Sequence, residues 1–410
     1  IFVLRSYRYR LKPTRAQARI LDRWIMLTRE LYNAALQERR DAWEKQRVRR
    51  SLFDQMRDLP AVREVRPEFM SIPISVLRGS IRRLDRAFAE FFRRCKTATT
   101  PGYPRFKGRG RFDSILIDDL HGRYPVVAGG KRVNIPLLGK IKFKQHRPLE
   151  GTPKAMRLTL RAGRWYVTFA CVDVPARPLP PTDADVGLDL GLTTFAATSD
   201  GELIAPPNYR DARLHLERAQ RRVSRRKRGS GRRRAAVRLL ARAHEHAAAV
   251  RREHRISVAR SLVARYGRIY VEKLNIKGLA RGMLAGPVNR AGWGDFLHWL
   301  RVKAESAGRE VVEVSPAGTS QICSECGGEV RKGLSVRVHR CPCGYVADRD
   351  VNAARNVLRA GLALRGGAAA VSAPRRSVKS KSLPRPEHTA MAHDRGRDTN
   401  DSTDRLMETQ

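Results

Sequence analysis

A multidomain α/β architecture is predicted for this chain from three observations. Its 410 residues are too many for one small core, and 41% apolar content supplies ordinary material for burial. From Asp183 onward, short apolar strands alternate with amphipathic helices. Near the end, Cys323-Ser324-Glu325-Cys326 and Cys341-Pro342-Cys343 form two close pairs, the pattern of a small metal-held ribbon set within a larger fold.

Residues 1–12 alternate, with Tyr7, Tyr9 and Leu11 against Arg8, Arg10 and Lys12, and read as a basic strand. Thr14 then caps a helix, Gln17 completes a capping box, and Ile20, Leu21, Trp24, Leu27, Leu31 and Ala34 keep helical spacing. A second amphipathic helix is expected from Ile74 to about Arg94, so that residues 13–97 make a basic helical lobe. In the following loop, Tyr103, Arg105, Phe106 and Lys107 lie among Gly and Pro. Rings beside cations can stack bases and hold phosphates; the plainer account is that the rings pack. Strands are expected near Arg132–Ile135, Gly139–Phe143, Arg157–Leu160 and Trp165–Val174, the last two joined by the turn Ala162-Gly163-Arg164. With residues 1–12 they are expected to form a small β-barrel. Pro175 to Asp183 is a proline-rich linker, and Asp183 and Asp185 read as solvated. Gly366 to Gln410 is Ala-, Ser-, Pro- and Arg-rich without periodicity and is expected to be disordered.

The formal net charge is +43, a self-repelling surplus that makes nucleic acid the expected partner. The last 45 residues hold eight Lys/Arg and six Asp/Glu, so the surplus belongs to the preceding chain. It is densest in a helical hairpin at 210–265, where Arg221, Arg222, Arg225, Arg226 and Arg228 precede Gly229-Ser230-Gly231 and Arg232, Arg233 and Arg234 follow. Few acids lie nearby to pair them, so phosphate contact with a steep salt dependence is expected. The other two cysteines, Cys95 and Cys171, stand alone, which suits a reducing compartment rather than a disulfide framework. No apolar run approaches 18 residues and the start is charged too soon for a secretory signal, so a cytoplasmic protein without a membrane partner is expected. The chain starts at Ile1, and a trimmed or recoded start is expected.

Three acids stand out. Asp189 sits inside the apolar run Val186-Gly187-Leu188-Asp189-Leu190, where an unpaired carboxylate is costly and needs a cation. Glu272 ends the apolar run Ile269-Tyr270-Val271, and Asp350 lies in the first turn of the last helix. Taken singly, Glu272 could pair with Lys273, and Asp350 could compensate a helix N-terminus. Taken together on two strands and a helix start, they match a ribonuclease-H-like site, in which carboxylates hold two Mg2+ ions about 4 Å apart for phosphodiester hydrolysis. Cys323, Cys326, Cys341 and Cys343 are expected to hold one structural Zn2+; the short Cys-x-Cys pair leaves His339 as an alternative ligand.

Gly187-Leu188-Asp189-Leu190-Gly191, Val271-Glu272-Lys273-Leu274, Thr319-Ser320-Gln321-x-Cys323-x-x-Cys326-Gly327 and Asp348-Arg349-Asp350-x-Asn352-Ala353-Ala354-x-Asn356 together resemble the TnpB (OrfB-type transposase) family. Tyr32-Asn33-x-x-Leu36 and Gly102-Tyr103-Pro104-x-Phe106-Lys107 resemble it too. The resemblance implies an RNA-guided DNA endonuclease with one RuvC-like site at Asp189, Glu272 and Asp350, a guide RNA and a double-stranded DNA target. It further implies a wedge-like barrel from residues 1–12 and 98–175 and a recognition lobe at 13–97 with a helix-turn-helix-like start. The RuvC-like (ribonuclease-H fold) domain would span 183–322 and 345–365, with a zinc ribbon at 323–344. The Cys-x-Cys pair departs from the family's commoner Cys-x-x-Cys. Three other readings stand beside this one: a nuclease-inactive RNA-guided repressor, a transposase acting in DNA recombination, and a guide-independent nucleic-acid binder.

Overall fold

The computed structural model describes residues 2–97, 100–118, 120, 125–127, 129–316, 318–333 and 336–366. The C-terminal stretch expected to be disordered lies, from residue 367, outside the described residues.

The first half comprises β1 (Phe2–Lys12), α1 (Arg15–Gln46), two short helices α2 (Leu52–Arg57) and α3 (Leu59–Val65), a 3-10 turn at Pro67–Ser71, and α4 (Ile74–Lys96). Five strands follow: β2 (Ser114–Ile117), β3 (Arg132–Ile135), β4 (Gly139–Lys144), β5 (Thr152–Arg161) and β6 (Arg164–Pro175). The Thr14 hydroxyl accepts from the Gln17 N–H at 3.2 Å and the Gln17 side chain accepts from the Thr14 N–H at 3.1 Å, which closes the capping box. The helix then runs unbroken to Arg47, whose left-handed backbone (φ 56°) ends it. The six strands form one antiparallel sheet in the order β2-β5-β6-β1-β4-β3. Along β6, Trp165, Val167, Phe169 and Cys171 turn inward. Positive φ at both Ala162 and Gly163 gives the β5–β6 hairpin the tight turn that matches strand twist. Leu21, Trp24, Leu77 and Leu84 of the helices share one core with Tyr9, Leu158 and Phe169 of the sheet.

The second half comprises β7 (Asp185–Asp189), β8 (Ala196–Thr198), β9 (Leu203–Ile204), α5 (Arg210–Ser224), α6 (Gly231–Arg265), β10 (Arg268–Glu272), α7 (Ile276–Leu279), α8 (Ala285–Ala291), α9 (Trp293–Ala307), β11 (Glu310–Val314), the small ribbon β12 (Val338–Arg340) and β13 (Val346–Asp348), and α10 (Arg349–Arg365). Its sheet has the order β11-β10-β7-β8-β9, with β10 parallel to both neighbours. Two layers cover it. Leu262, Phe296 and Leu300 pack α6 and α9 against Val186, Leu188 and Ile269. On Tyr270 and Ala197 lie Val357 and Val351 of α10.

One expectation is corrected here. Asp185 is not solvated: its carboxylate accepts from Arg268 Nε at 2.7 Å and lies 3.7 Å from Arg365 Nη1. As the first residue of β7, it is anchored beside the next strand. Asp183, by contrast, is fully exposed.

Helix α10 approaches the sheet so closely that two glycines are required. A Cβ on Gly187 of β7 would strike the Ala354 carbonyl, and one on Gly361 of α10 would enter the Tyr270 ring. Gly187→Ala and Gly361→Ala are each expected to destabilise the fold by about 1–3 kcal/mol in chemical denaturation. Gly282→Ala, where a Cβ meets nothing within 4 Å, should stay within about 0.5 kcal/mol of wild type.

Candidate metal centres and nucleic-acid interface

The register of the second sheet decides where two of the acids lie. Leu188 pairs with Val271 across parallel β7 and β10, so the next residues, Asp189 and Glu272, end adjacent strands side by side. That is the carboxyl edge of the strands, where open α/β sheets place their sites. The third acid arrives on α10. Asp348 caps this helix, its side chain accepting from the N–H groups of Asp350 (2.8 Å) and Val351 (3.3 Å), and Asp350 follows in the first turn. Gly191, just beyond β7, lies next to it: a Cβ there would strike the Thr194 carbonyl at 2.6 Å and stand in ordinary contact, 3.7 Å, with Asp350 Oδ2.

The electrostatics of the three acids are coupled. Burial, with the neighbouring charges of Glu272 and Asp350, pushes the Asp189 carboxyl up to about 8. Burial also raises Glu272, opposed by a hydrogen bond from Thr319. Asp350 is raised by burial and by Asp348, against the pull of Arg337 and Arg349. Arg337 reaches in from the ribbon, with Nη1 at 3.9 Å from Asp350 Oδ2 and Nη2 donating to Thr193 Oγ1 at 2.8 Å. Such a cluster of oxygen donors, each made harder to ionise by burial, fits a hard divalent cation.

The four cysteines form a tighter group, with all sulfurs within 4.8 Å of one another. Cys323 and Cys343 Sγ are 3.9 Å apart and Cys326 and Cys341 Sγ 3.6 Å. A tetrahedron with Zn–S bonds of about 2.3 Å has edges of about 3.8 Å, whereas a disulfide needs about 2 Å; the sulfurs therefore fit a zinc ion. The Gly328 N–H and the neighbouring thiols draw Cys326 down to about 7, toward the thiolate that a metal requires. His339, the alternative ligand, is buried outside this group and takes a hydrogen bond at Nδ1 from Lys332.

Sequence reasoning assigned no role to the residues that join the two centres. Asn352 donates to the Ile322 carbonyl (2.8 Å) and accepts from the Ser324 N–H (2.9 Å). One turn later, Asn356 donates to the carbonyls of Thr319 (2.8 Å) and Ile322 (2.7 Å). Their spacing of four on one helix, beside a cysteine pair, was the available signal.

The basic hairpin is α5 and α6. Arg221, Arg222, Arg225 and Arg226 line an open groove on it with Arg218. Arg228 and Arg232 are exposed at its turn. Among the described residues none of the eight predicted arginines pairs with an acid, but two are engaged by the turn itself. Arg233 Nη1 donates to the Val223 (2.8 Å) and Arg226 (2.9 Å) carbonyls, and Arg234 Nη1 donates to Gly229 (2.7 Å). The aromatic loop is also partly structural. Tyr103 sets its edge against Phe88 and Phe91, Phe106 lies under the Arg40 guanidinium, and the Lys107 ammonium lies 5.8 Å from the Tyr32 ring centroid. Asn33 pins the loop to α1 through both backbone groups of Lys107. Arg105 is exposed.

Three family models match this chain. A "Probable transposase" model covers residues 169–283, a "Helix-turn-helix domain" model of the same family covers 3–47, and a "Cas12f1-like, TNB domain" model covers 293–357. Residues 3–47 here are β1 and the single helix α1. A Streptomyces pristinaespiralis protein named "Putative RNA-guided DNA endonuclease" is 34% identical over 370 residues, covering 88% of this chain and 90% of its own. An Escherichia coli (strain K12) protein named "Putative RNA-guided DNA endonuclease InsQ" is 30% identical over 315 residues, with 71% and 75% covered. A solved structure, "Structure of the mini-RNA-guided endonuclease CRISPR-Cas_phi3", covers 88% of this chain and 92% of its own at 9% identity and a TM-score of 0.43. The protein is a mixed α/β chain with an OrfB-type transposase region. It belongs to the TnpB (OrfB) family.

Two predictions follow from the centres. The Asp189 carboxyl titrates near 4 when unfolded and at about 8 when folded. The folded state therefore keeps a proton that the unfolded state has lost. Without Mg2+, this contribution to stability is fully present below about pH 4 and is lost as pH rises to about 8. Denaturation at pH 5.5 and 8 should show that fall in wild type, a smaller one in Asp189→Asn, and recovery at pH 8 on adding Mg2+. Mass spectrometry of the native protein should find one zinc per chain, and Cys326→Ser should lose it together with several degrees of melting temperature.

Proposed function

We propose that this chain is a transposon-encoded RNA-guided DNA endonuclease that hydrolyses phosphodiester bonds at one RuvC-like site. The observation that carries the reading is the meeting of Asp189, Glu272 and Asp350 at the carboxyl ends of the parallel strands β7 and β10, in a chain with a net charge of +43. The names of its relatives support it. Delegating sequence choice to base pairing suits a protein that needs cations for nucleic-acid backbones more than side chains for bases.

The three carboxylates would hold Mg2+, which would supply charge neutralisation at the phosphate and an activated water. The chain's own contribution is placement. Glu272 is held at Oε1 by Thr319, leaving Oε2 for a ligand. Asp189 is fixed by the strand on which it ends, and Asp350 by the Asp348 cap. Arg337, half-exposed and aimed at Asp350, is placed to meet an incoming phosphate. The arginines of α5 and the α5–α6 turn would hold guide or target backbones, with Tyr103, Arg105, Phe106 and Lys107 as a second contact. In this reading, residues 1–12 and 98–175 form the wedge-like barrel and 13–97 the recognition lobe. Residues 183–322 and 345–365 form the ribonuclease-H-fold nuclease, and 323–344 the zinc ribbon. No helix among the described residues is long and apolar enough to cross a membrane; we place the protein in the cytoplasm with its DNA.

Expression together with the DNA flanking its own gene is expected to yield a discrete copurifying RNA. The complex should cut plasmids matched to that RNA in Mg2+, with target affinity falling steeply as salt rises. Asp189→Ala should bind the target normally and cut more than about a hundredfold slower, a greater loss than removing a supporting partner causes. Binding without cutting by wild type would favour the repressor, joined ends would favour the transposase, and the absence of a specific RNA would overturn guidance.

A further inference from the structure

Thr319 stands four residues before Cys323 and is buried. Its hydroxyl donates to Glu272 Oε1, and Oγ1 also lies 3.3 Å from the Pro316 carbonyl. Its own carbonyl accepts from Asn356, one turn beyond Asn352 on α10. Both asparagines are buried, at 5% and 0% exposure, so these bonds are made away from competing water. Helix α10 also carries Asp350 in its first turn. One hydroxyl therefore links the acid on β10 to the helix bearing the third acid, and the link passes through the segment entering the cysteine ribbon.

Physical chemistry gives that hydroxyl a specific task. A glutamate has three side-chain torsions, and at a metal site each must be held for its oxygens to be useful. A hydroxyl donor to a carboxylate is among the stronger neutral donors, and it favours the ionised form. We propose that Thr319 is a positioning residue for the nuclease reaction, holding Glu272 in one orientation, and that Asn352 and Asn356 set Thr319 by clamping the approach to the ribbon onto α10. This rests on the nuclease reading above. The ribbon thereby acts on the acid cluster through a hydrogen-bonded chain rather than through its own ligands.

Thr319→Val keeps the volume and removes the donor, whereas Thr319→Ser keeps the donor. Both would be made in the full chain with its copurified RNA. Thr319→Val is expected to bind target as wild type does and to cut with a kcat lower by about tenfold or more, the scale of a lost hydrogen bond to a charged group, with Thr319→Ser recovering most of it. Titration with Mn2+ by electron paramagnetic resonance supplies a readout independent of cutting; half-occupation of the acid cluster should need severalfold more Mn2+ in Thr319→Val and an ordinary amount in Thr319→Ser. Wild-type cutting and Mn2+ affinity in Thr319→Val would overturn the proposal, and so would a Thr319→Ser variant as impaired as Thr319→Val. If wild type itself does not cut, the nuclease reading fails, and the Mn2+ titration still decides: equal affinities overturn the role of Thr319, and unequal ones support it. Should Thr319→Val fold poorly, Thr319→Ala removes the same donor without the second methyl and is read by the same two measurements.

Discussion

Helix α10 can lie against the second sheet only because a side chain is missing on each face of the contact. Gly187 on β7 admits the backbone of α10, and Gly361 on α10 admits the ring of Tyr270. Most of what is distinctive about the chain hangs on that approach. Asp350 reaches Asp189 because α10 begins above the strand end, and α10 can begin there because it presses on β7 farther along. Asn352 and Asn356, on the same helix, then gather the segment leading to Cys323. A displacement of α10 by the width of one methyl group would separate the acids and loosen the ribbon together.

The acid cluster is a place where folding and chemistry pull in opposite directions. Burying three carboxylates raises all three, Asp189 to about 8, and a fold selected for stability alone would replace one of them with an apolar residue. The surrounding sequence tolerates the cost through local supports. The Asp348 cap holds the first turn of α10, Thr319 holds Glu272, and the guanidinium groups of Arg337 and Arg349 offset part of the negative charge. Each support comes from the ribbon, its approaches or the helix that follows it. The ribbon is therefore part of the architecture of the acids, not an appendage to it.

What could be read from the sequence, and what could not, follows from the range of the interactions involved. A carboxylate inside an apolar strand is visible locally, so Asp189 and Glu272 stood out, and the cysteine spacing alone announced a metal-sized cluster. The capping box at Thr14 and the turn at Ala162-Gly163 are likewise local and were legible. Thr319, Asn33 and Asn356 stand in the motifs of the family resemblance, but what they bond was not legible, because their partners lie 47, 74 and 34–37 residues away. An exposed polar residue and one buried against a distant carbonyl look alike in a sequence. Asp185 was misread for the same reason: the linker precedes it, while its guanidinium partners, Arg268 and Arg365, come from β10 and the end of α10. In the arginine hairpin, composition exposed the charge but not which guanidinium groups the turn would use, so Arg233 and Arg234 read like their neighbours.

Taken as a whole, the folded chain has unbalanced charge of two opposite kinds. The chain carries a surplus of cations, a net charge of +43, while the carboxyl end of its second sheet gathers three acids that burial makes harder to ionise. A polyanion would meet the first imbalance and a divalent cation the second. Under the proposed function, a phosphodiester backbone held by the arginines beside the acid edge, with its counterions, would supply both at one place. In that reading, the arrangement that leaves the free protein electrostatically incomplete is the one that would make the loaded protein reactive.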